Sequence, residues 1–318
     1  MKPIFSLWLF LLLGISQPIF SQTDWTKYDA IVTAKSTDPK ELSGLITSNY
    51  TSPQEKVEAI YYWITHNIAY DFRLLAKHMK EDNNKPVKYT AEGLQAMKDD
   101  EIAYALKRKK GVCQNYALTF QALCKHANIE CEYIGGWSKS SPERSSSMGN
   151  KHAWNAVNWG DGWKLVDPTW GSGYGNNGKF QFSFHTGFFD TDQEVFVLNH
   201  FPREAKWQLL DPLISEETFE TYPTIGRAFL DHQLRDLSPM TNTLEVKRGE
   251  PVEISFTCAK ELSNFACVNR KTNALAKHEL RKEGNKYTVI VDGNKLRSGL
   301  YSFWENKELL FYYKLRVR

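Results

Sequence analysis

A glycine, a valine and a cysteine stand directly before an amphipathic segment, and this arrangement constrains the fold more than any other part of the chain. Residues 114–126 carry small or apolar side chains at helical spacing, namely Ala117, Leu118, Phe120, Ala122 and Leu123. The spacing predicts a packed helix with Cys113 in its first turn. Unpaired backbone N–H groups and the helix dipole favour a thiolate at that position, and the basic run 107–110 adds positive charge nearby. The stretch therefore predicts a nucleophilic cysteine.

Two later stretches provide a candidate base and a candidate carboxylate. Residues 151–159 and 163–168 read as strands on either side of a Gly-Asp-Gly turn. If the hairpin loop has an even number of residues, His152 and Asp167 share one face and lie diagonally within reach of each other. An odd loop would place them on opposite faces. Cysteine, histidine and aspartate together form the set that covalent acyl transfer requires: a nucleophile, a base and a group that orients the base.

These motifs resemble those of the transglutaminase-like cysteine enzymes, a papain-related superfamily. The resemblance lies in G-V-C-Q-N-Y-A, K-H-A-W-N-A-V and W-K-L-V-D-P-T-W-G, and residues 56–71 resemble the first core helix of that family. Residues 199–210 (NHFPREAKWQLL) are similar to a segment of the kyphoscoliosis-peptidase-type subgroup. The resemblance covers roughly residues 45–215. It implies an α+β core, in which a helix carrying the cysteine packs on an antiparallel sheet carrying the histidine and aspartate. Cys113, His152 and Asp167 would be its catalytic triad.

The resemblance also implies candidates for stabilising the oxyanion of the acyl-transfer intermediate. An aromatic residue near the first core helix, Trp63 or Tyr70, would join a backbone N–H at the nucleophile in this role. The alternative is that both side chains simply fill the core. Gln114, next to the nucleophile, and Trp154, on the histidine strand, are further candidates for contact with the oxyanion or the substrate.

The periodicity changes from about residue 238 onward. Apolar and polar side chains alternate with period two in several short segments separated by turns, at residues 243–248, 252–258, 287–291 and 309–317. This pattern predicts a small antiparallel sandwich of immunoglobulin type. We therefore predict a transglutaminase-like domain over 22–215, a connector over 216–237 and a β-sandwich over 238–318, with no visible chemistry in the sandwich.

The N-terminus has the pattern of an export signal. Lys2 precedes an apolar run over 4–15, and Ser21 stands at a plausible cleavage point, so residues 1–21 are predicted to be a cleavable signal peptide. The run is too short to cross a bilayer, although an N-terminal anchor or a buried helix is the alternative. The expected location is secreted or periplasmic, without stable membrane insertion.

The amino-acid composition limits the classes of partner and cofactor that we expect for this chain. A hydrophobic content of 42% is typical of a core-forming chain, and a formal charge of +3 gives no support for nucleic-acid binding. Five cysteines in an exported chain could form the pairs Cys124/Cys131 and Cys258/Cys267, which would leave Cys113 unpaired; the alternative is that none is bridged. Scattered histidines and the lack of a C-x-x-C pair predict no metal and no cofactor.

Two classes of function fit the sequence. The first is an acyl-transfer enzyme acting on a protein or peptide substrate. Water as acceptor would make it a peptidase or amidase and a lysine amine would make it a transglutaminase, with hydrolysis slightly favoured by the resemblance. The second is a non-catalytic polypeptide-binding or scaffold protein that keeps the fold. Nothing in the sequence indicates the oligomeric state.

Overall fold

The computed structural model describes residues 23–81, 90–140 and 150–318. The predicted signal peptide and most of the polar loop before His152 lie outside these ranges. The helices of the described part are α1 (Pro39–Thr47), α2 (Pro53–Asn67), α3 (Phe72–Glu81), α4 (Ala91–Arg108), α5 (Cys113–His126), α6 (Pro168–Ser172), α7 (Gln193–Phe196), α8 (Glu216–Thr221) and α9 (Arg227–Asp231). Shorter 3-10 segments are Trp25–Thr33, Thr186–Phe188, Ala205–Gln208 and Gly293–Lys295. Within the ranges described, no helix combines the length and the apolarity needed to cross a membrane.

The strands fall into two groups along the chain. Those of the N-terminal part are β1 (Ala69–Tyr70), β2 (Lys110–Gly111), β3 (Glu130–Ser138), β4 (Asn150–Asn158), β5 (Trp163–Val166), β6 (Gly173–Asn176), β7 (Lys179–Phe182), β8 (Phe189–Thr191) and β9 (His200–Pro202). Those of the C-terminal part are β10 (Arg235–Ser238), β11 (Thr243–Val246), β12 (Val252–Thr257), β13 (Phe265–Asn269), β14 (Ala274–Leu275), β15 (His278–Glu283), β16 (Lys286–Val291), β17 (Gly299–Glu305) and β18 (Glu308–Val317).

Helix α2 shows how local sequence sets the helical layer. Ser52 caps the helix, because its hydroxyl accepts a hydrogen bond of 3.2 Å from the Glu55 backbone N–H, and Pro53 occupies the first helical position. The apolar positions at helical spacing are fully buried, as predicted: Val57, Ile60, Tyr61, Ile64 and Ile68. Helices α1, α2 and α4 all pack against α5, which places the cysteine helix at the centre of the N-terminal core.

Helix α5 lies on an antiparallel sheet with the strand order β8-β5-β4-β3-β9. The Asn155 side chain, from β4, donates hydrogen bonds to the Ala117 carbonyl of α5 at 3.0 Å and to the Glu132 carbonyl of β3 at 3.2 Å. This fully buried amide joins the histidine strand to the cysteine helix. The predicted α+β core is confirmed.

The C-terminal strands form two sheets with the orders β10-β12-β16-β15 and β11-β18-β17-β13-β14. Only the first strand of the second sheet, β11, pairs in parallel, alongside β18, and the other pairs of these two sheets are antiparallel. Named A, A′, B, C, C′, D, E, F and G in chain order, the strands give sheets A-B-E-D and A′-G-F-C-C′. This is immunoglobulin topology, so the predicted sandwich is confirmed.

The two parts of the chain share buried surface. Phe188, Val195 and Leu198, from the N-terminal part, belong to the same apolar cluster as the core of the sandwich. Between the two parts, Ile225 forms an antiparallel bridge with Phe311 of β18. The sandwich is therefore packed directly on the domain that carries the triad candidates.

All five cysteines of the sequence are free thiols in the structure. Burial, followed by the neighbouring Cys124 of α5, raises the pKa of Cys131, in β3, well above its usual value. Cys258 and Cys267 are both buried in the sandwich core.

Candidate active site

The nucleophile candidate is positioned by the residues on either side of it. Cys113 is the first residue of α5 and is half-buried. The Asn115 side chain accepts a hydrogen bond of 2.8 Å from the Val112 backbone N–H and donates one of 2.9 Å to the Glu101 carbonyl in α4. A side chain at Gly111 would occupy the same space, because a Cβ atom there would lie 2.5 Å from the Asn115 Cβ. The G-V-C-Q-N sequence thus closes the helix N-terminus with Asn115 and leaves the thiol at its tip.

His152 and Asp167 meet through the hairpin predicted from the sequence. The β4–β5 pairing ends at Asn158 and Trp163, which leaves an even loop, residues 159–162. The Nε2 atom of His152 lies 2.7 Å from Oδ2 of Asp167. Because Nε2 is engaged with the carboxylate, Nδ1 is the ring nitrogen left to interact with Cys113, which is one of the groups that raise the pKa of His152. The three candidates therefore form one connected chain of contacts.

The Asp167 carboxylate is fully buried, yet both of its oxygens have partners. Oδ1 accepts backbone N–H groups of Thr169 at 2.8 Å and Trp170 at 3.0 Å, so the same residue caps α6. Oδ2 accepts from His152 and from a second histidine, His200, at 3.1 Å. A buried carboxylate is stable as an anion only when it is paired in this way.

The positive charge of His152 and the negative charge of Asp167 stabilise each other. Burial would lower the pKa of His152, but the Asp167 charge, the hydrogen bond to Asp167 and the contact with Cys113 outweigh it and raise that pKa to about 10. Burial would raise the pKa of Asp167, but His152 and His200 hold it far below its usual value. At neutral pH the pair is therefore an imidazolium and a carboxylate.

Two tyrosines lie close to the thiol. Burial raises the pKa of Tyr70 well above its usual value, and the Cys113 and Asp167 charges add to the rise. Tyr70 is in β1, paired with Gly111 in β2, which brings it beside the nucleophile. Burial, followed by the charge of Cys113, raises the pKa of Tyr133 to about 12. Both hydroxyls therefore stay protonated at neutral pH. Tyr133 was missed by the sequence analysis, since its strand pattern does not distinguish it from a core residue.

The other predicted contact residues are placed differently. The indole N–H of Trp63 donates to the Ala34 carbonyl at 3.1 Å, and the Lys109 ammonium lies over its ring at 4.2 Å. Lys109, one of the four basic residues before the cysteine, is thus turned toward Trp63. The Gln114 amide donates to the Met97 sulfur at 3.3 Å. Trp154 is fully buried, and its indole nitrogen has no hydrogen-bond partner among the described residues.

His200 is the main addition that the structure makes to the predicted site. It starts β9, which pairs with β3 beside the histidine strand. In the sequence, its segment (residues 199–210) shows only a resemblance to the kyphoscoliosis-peptidase-type subgroup. The sequence signal that could have indicated a site residue is a histidine directly before Phe-Pro in a short apolar stretch.

His152, Asp167 and His200 also form the one group of potential metal-ligating atoms found among the described residues, with atoms within 4.8 Å of one another. The facing atoms of all three already take part in the two hydrogen bonds to Oδ2. We therefore interpret the group as a hydrogen-bonded relay.

Comparison with known proteins identifies the class. Residues 40–168 match the transglutaminase-like superfamily. The chain is 32% identical to human kyphoscoliosis peptidase over 267 residues, which is 82% of this chain and 37% of that protein. It is 26% identical to hillarin of Drosophila melanogaster over 200 residues, 58% of this chain and 22% of that protein. A crystal structure of a TGase aligns over 52% of this chain and 37% of its own, with 18% identity and a TM-score of 0.30.

The chain thus belongs to the transglutaminase-like superfamily through residues 40–168. Within that superfamily it is of the kyphoscoliosis-peptidase type. It spans well under half the length of the curated relatives that it matches.

Proposed function

We propose that the protein is a cysteine acyl-transfer enzyme that acts on polypeptides through Cys113, His152 and Asp167. The observation that carries the proposal is the His152 ring, which is hydrogen-bonded at 2.7 Å to a fully buried carboxylate and has its pKa raised further by Cys113, the first residue of helix α5. This arrangement stabilises a thiolate–imidazolium pair, which is the active form of a cysteine nucleophile.

The chemical steps follow from the protonation states. The Cys113 thiolate attacks a peptide or glutamine carboxamide carbonyl and forms a carbon–sulfur bond. As the tetrahedral intermediate collapses, the carbon–nitrogen bond breaks and the His152 imidazolium gives its proton to the leaving amine. In the second half-reaction His152 removes a proton from the acceptor, which attacks the thioester and releases the thiolate. Asp167 remains ionised throughout and holds the imidazole in one orientation.

Tyr70 is the strongest candidate for stabilising the oxyanion. Its backbone pairs with Gly111, two residues before Cys113, and its hydroxyl stays protonated at neutral pH, because burial and the Cys113 charge raise its pKa. Together with a backbone N–H at the α5 N-terminus it would offer two donors to the developing charge. The indole N–H of Trp63 is engaged with the Ala34 carbonyl, which favours Tyr70 over Trp63 for this role.

Hydrolysis is the favoured outcome in this proposal. The relative with 32% identity is named a peptidase, and water is then the acceptor that releases the acyl group. An export signal over residues 1–21 would place the enzyme outside the cytoplasm, and its partner would be a protein or peptide substrate.

The proposal is tested by the rate at which iodoacetamide alkylates Cys113 as a function of pH, resolved from the other cysteines by peptide mass spectrometry. An ordinary thiol titrates at about pH 8.5. Because the His152 imidazolium persists to about pH 10, labelling of the parent is expected to stay fast down to about pH 6. In His152→Ala it should fall at least tenfold at that pH. A parent that labels like an ordinary thiol, or that is indifferent to His152, would contradict the proposal and favour the polypeptide-binding alternative.

A further inference from the structure

His200 makes a specific contact with the candidate triad that no step of the proposed chemistry uses. Its Nε2 atom lies 3.1 Å from Oδ2 of Asp167, the same oxygen that binds His152 at 2.7 Å. The His200 side chain is only 1% exposed. A histidine placed at this distance from an ionised carboxylate must present a proton to it, because a carboxylate oxygen only accepts hydrogen bonds.

The surroundings of His200 fix its ring and keep it neutral. The Phe196 ring is stacked on it at 3.9 Å with an interplanar angle of 17°, and the rings of Trp170 and Trp154 lie at 4.6 and 5.2 Å. Burial in this apolar cage lowers the pKa of His200 despite the nearby carboxylate, and the charge of His152 acts in the same direction. A neutral ring with one proton, donating from Nε2, is the form that fits these contacts.

The backbone also anchors His200 from both sides. Gly136, opposite β9, has no room for a side chain, since a Cβ atom would lie 2.2 Å from the Phe201 carbonyl oxygen. On the other side, the Asn199 side chain donates to the Ile225 carbonyl at 3.1 Å and accepts from the Ile225 N–H at 3.3 Å. The backbone contacts of Gly136 and Asn199 therefore fix the strand that carries His200, independently of the contact between His200 and Asp167.

We propose that His200 is a positioning residue that acts through Asp167: its Nε2–H donates to Oδ2 and fixes the carboxylate in the orientation that holds His152 toward Cys113. This inference rests on the proposed function, since it assigns His200 a part in maintaining the thiolate–imidazolium pair. His200 touches neither the thiol nor the reacting carbonyl, so it is not a catalytic residue.

Removal of the hydrogen-bond donor of His200 is expected to weaken the stabilisation of the His152 imidazolium by Asp167. Without the His200 donor, the Asp167 carboxylate is no longer held in the orientation that faces His152, so the imidazolium loses part of its stabilisation and the Cys113 thiolate takes up its proton at a higher pH. The other titratable groups that face Asp167 are His152, Tyr61, Tyr70 and Tyr116. The pKa of each tyrosine is raised, chiefly by burial. The tyrosines therefore stay neutral over the acid range, and a change there reports on Asp167 and His152.

The experiment uses two substitutions of His200 and one matched control. His200→Met keeps side-chain volume but removes the donor, whereas His200→Gln keeps an N–H near the position of Nε2. The control is His185→Gln, which alters another buried histidine, one whose Nε2 lies 2.9 Å from Asp231. In His200→Met, the acid limb of the Cys113 alkylation profile should move up by about one pH unit, with labelling about tenfold slower at pH ~6. His200→Gln should recover most of the rate, and His185→Gln should match the parent.

A parent-like profile in folded His200→Met, or equal loss in His200→Met and His200→Gln, would overturn the inference. Should His200→Met fail to fold, ¹⁵N chemical shifts of the imidazoles in the unmodified chain decide the matter: His200 must carry its proton on Nε2, and a bare Nε2 would refute the role. If instead the parent alkylates like an ordinary thiol while His200 is protonated on Nε2, the proposed function fails and the hydrogen bond is only structural.

Discussion

At the scale of single residues, Asp167 has the most functions in the site. One oxygen caps α6 through the backbone N–H groups of Thr169 and Trp170, and the other binds two imidazoles. The structural function and the electrostatic function are therefore on different atoms of the same carboxylate. A substitution that keeps the cap but removes the charge separates them.

Asp167→Asn is expected to fold and to lose the reactivity of Cys113. The amide oxygen can still accept from the α6 backbone, but the amide nitrogen would face Nε2 of His152, without the negative charge that holds the imidazolium. Alkylation of Cys113 at pH ~6, and any turnover of a peptide substrate, should fall by roughly two orders of magnitude or more. Asp161→Asn, in the exposed β4–β5 turn, is the control and should behave as the parent. Near-parent rates in Asp167→Asn would remove this carboxylate from the mechanism.

At the scale of elements, the close approach of β9 to β3 decides where His200 lies. The glycine pair in β3 predicts a place where another backbone comes near, and this occurs at Gly136. There a Cβ atom would lie 2.6 Å from Cη2 of Trp154 as well as 2.2 Å from the Phe201 oxygen. At Gly135 the nearest neighbour of a Cβ atom is a Tyr133 ring carbon, at the ordinary distance of 3.8 Å.

The neighbouring glycines give a matched pair of alanine substitutions. Gly136→Ala must displace both β9 and the Trp154 ring, and overpacking of this kind costs about 1–3 kcal/mol of unfolding free energy. Gly135→Ala needs no displacement and should be within about 0.5 kcal/mol of the parent. Urea denaturation monitored by tryptophan fluorescence measures both. Equal stability of the two variants would show that β9 does not approach β3 as described.

At the scale of the whole molecule, the sandwich and the part that carries the candidate triad share one apolar cluster. Phe188 and Leu198 pack with the sandwich core, and Ile225 joins β18 through its bridge to Phe311. Because Asn199 binds the Ile225 backbone, the residue next to His200 is tied to the segment that lies on the sandwich. The two parts should therefore unfold together.

Phe311→Ala tests this coupling. The side chain is fully buried, and its truncation should cost about 3–5 kcal/mol. The loss is expected to lower the urea midpoint at which Cys124, in the core of the N-terminal part, becomes accessible to a thiol reagent, as well as that of the sandwich thiol Cys267. Leu275→Ala, at a 74% exposed position of the same sheet, should change neither. A shift confined to Cys267 would show that the two parts unfold independently.

The cysteine helix, the hairpin that carries His152 and Asp167, and the sandwich could all be predicted from the sequence, although the sequence left open whether the hairpin loop is even or odd. Each depends on local rules: helical spacing behind Cys113, an even loop between two strands, and period-two alternation between turns. It did not determine the position of His200, which reaches Asp167 from 33 residues away, or which aromatic residue stands beside the thiol. Those depend on how separate elements pack, since periodicity reports which face of an element is buried but not what lies opposite it. Gly136, Asn155 and Asn199 hold these elements together, but their partners are far away in the sequence and are identified only in the folded chain.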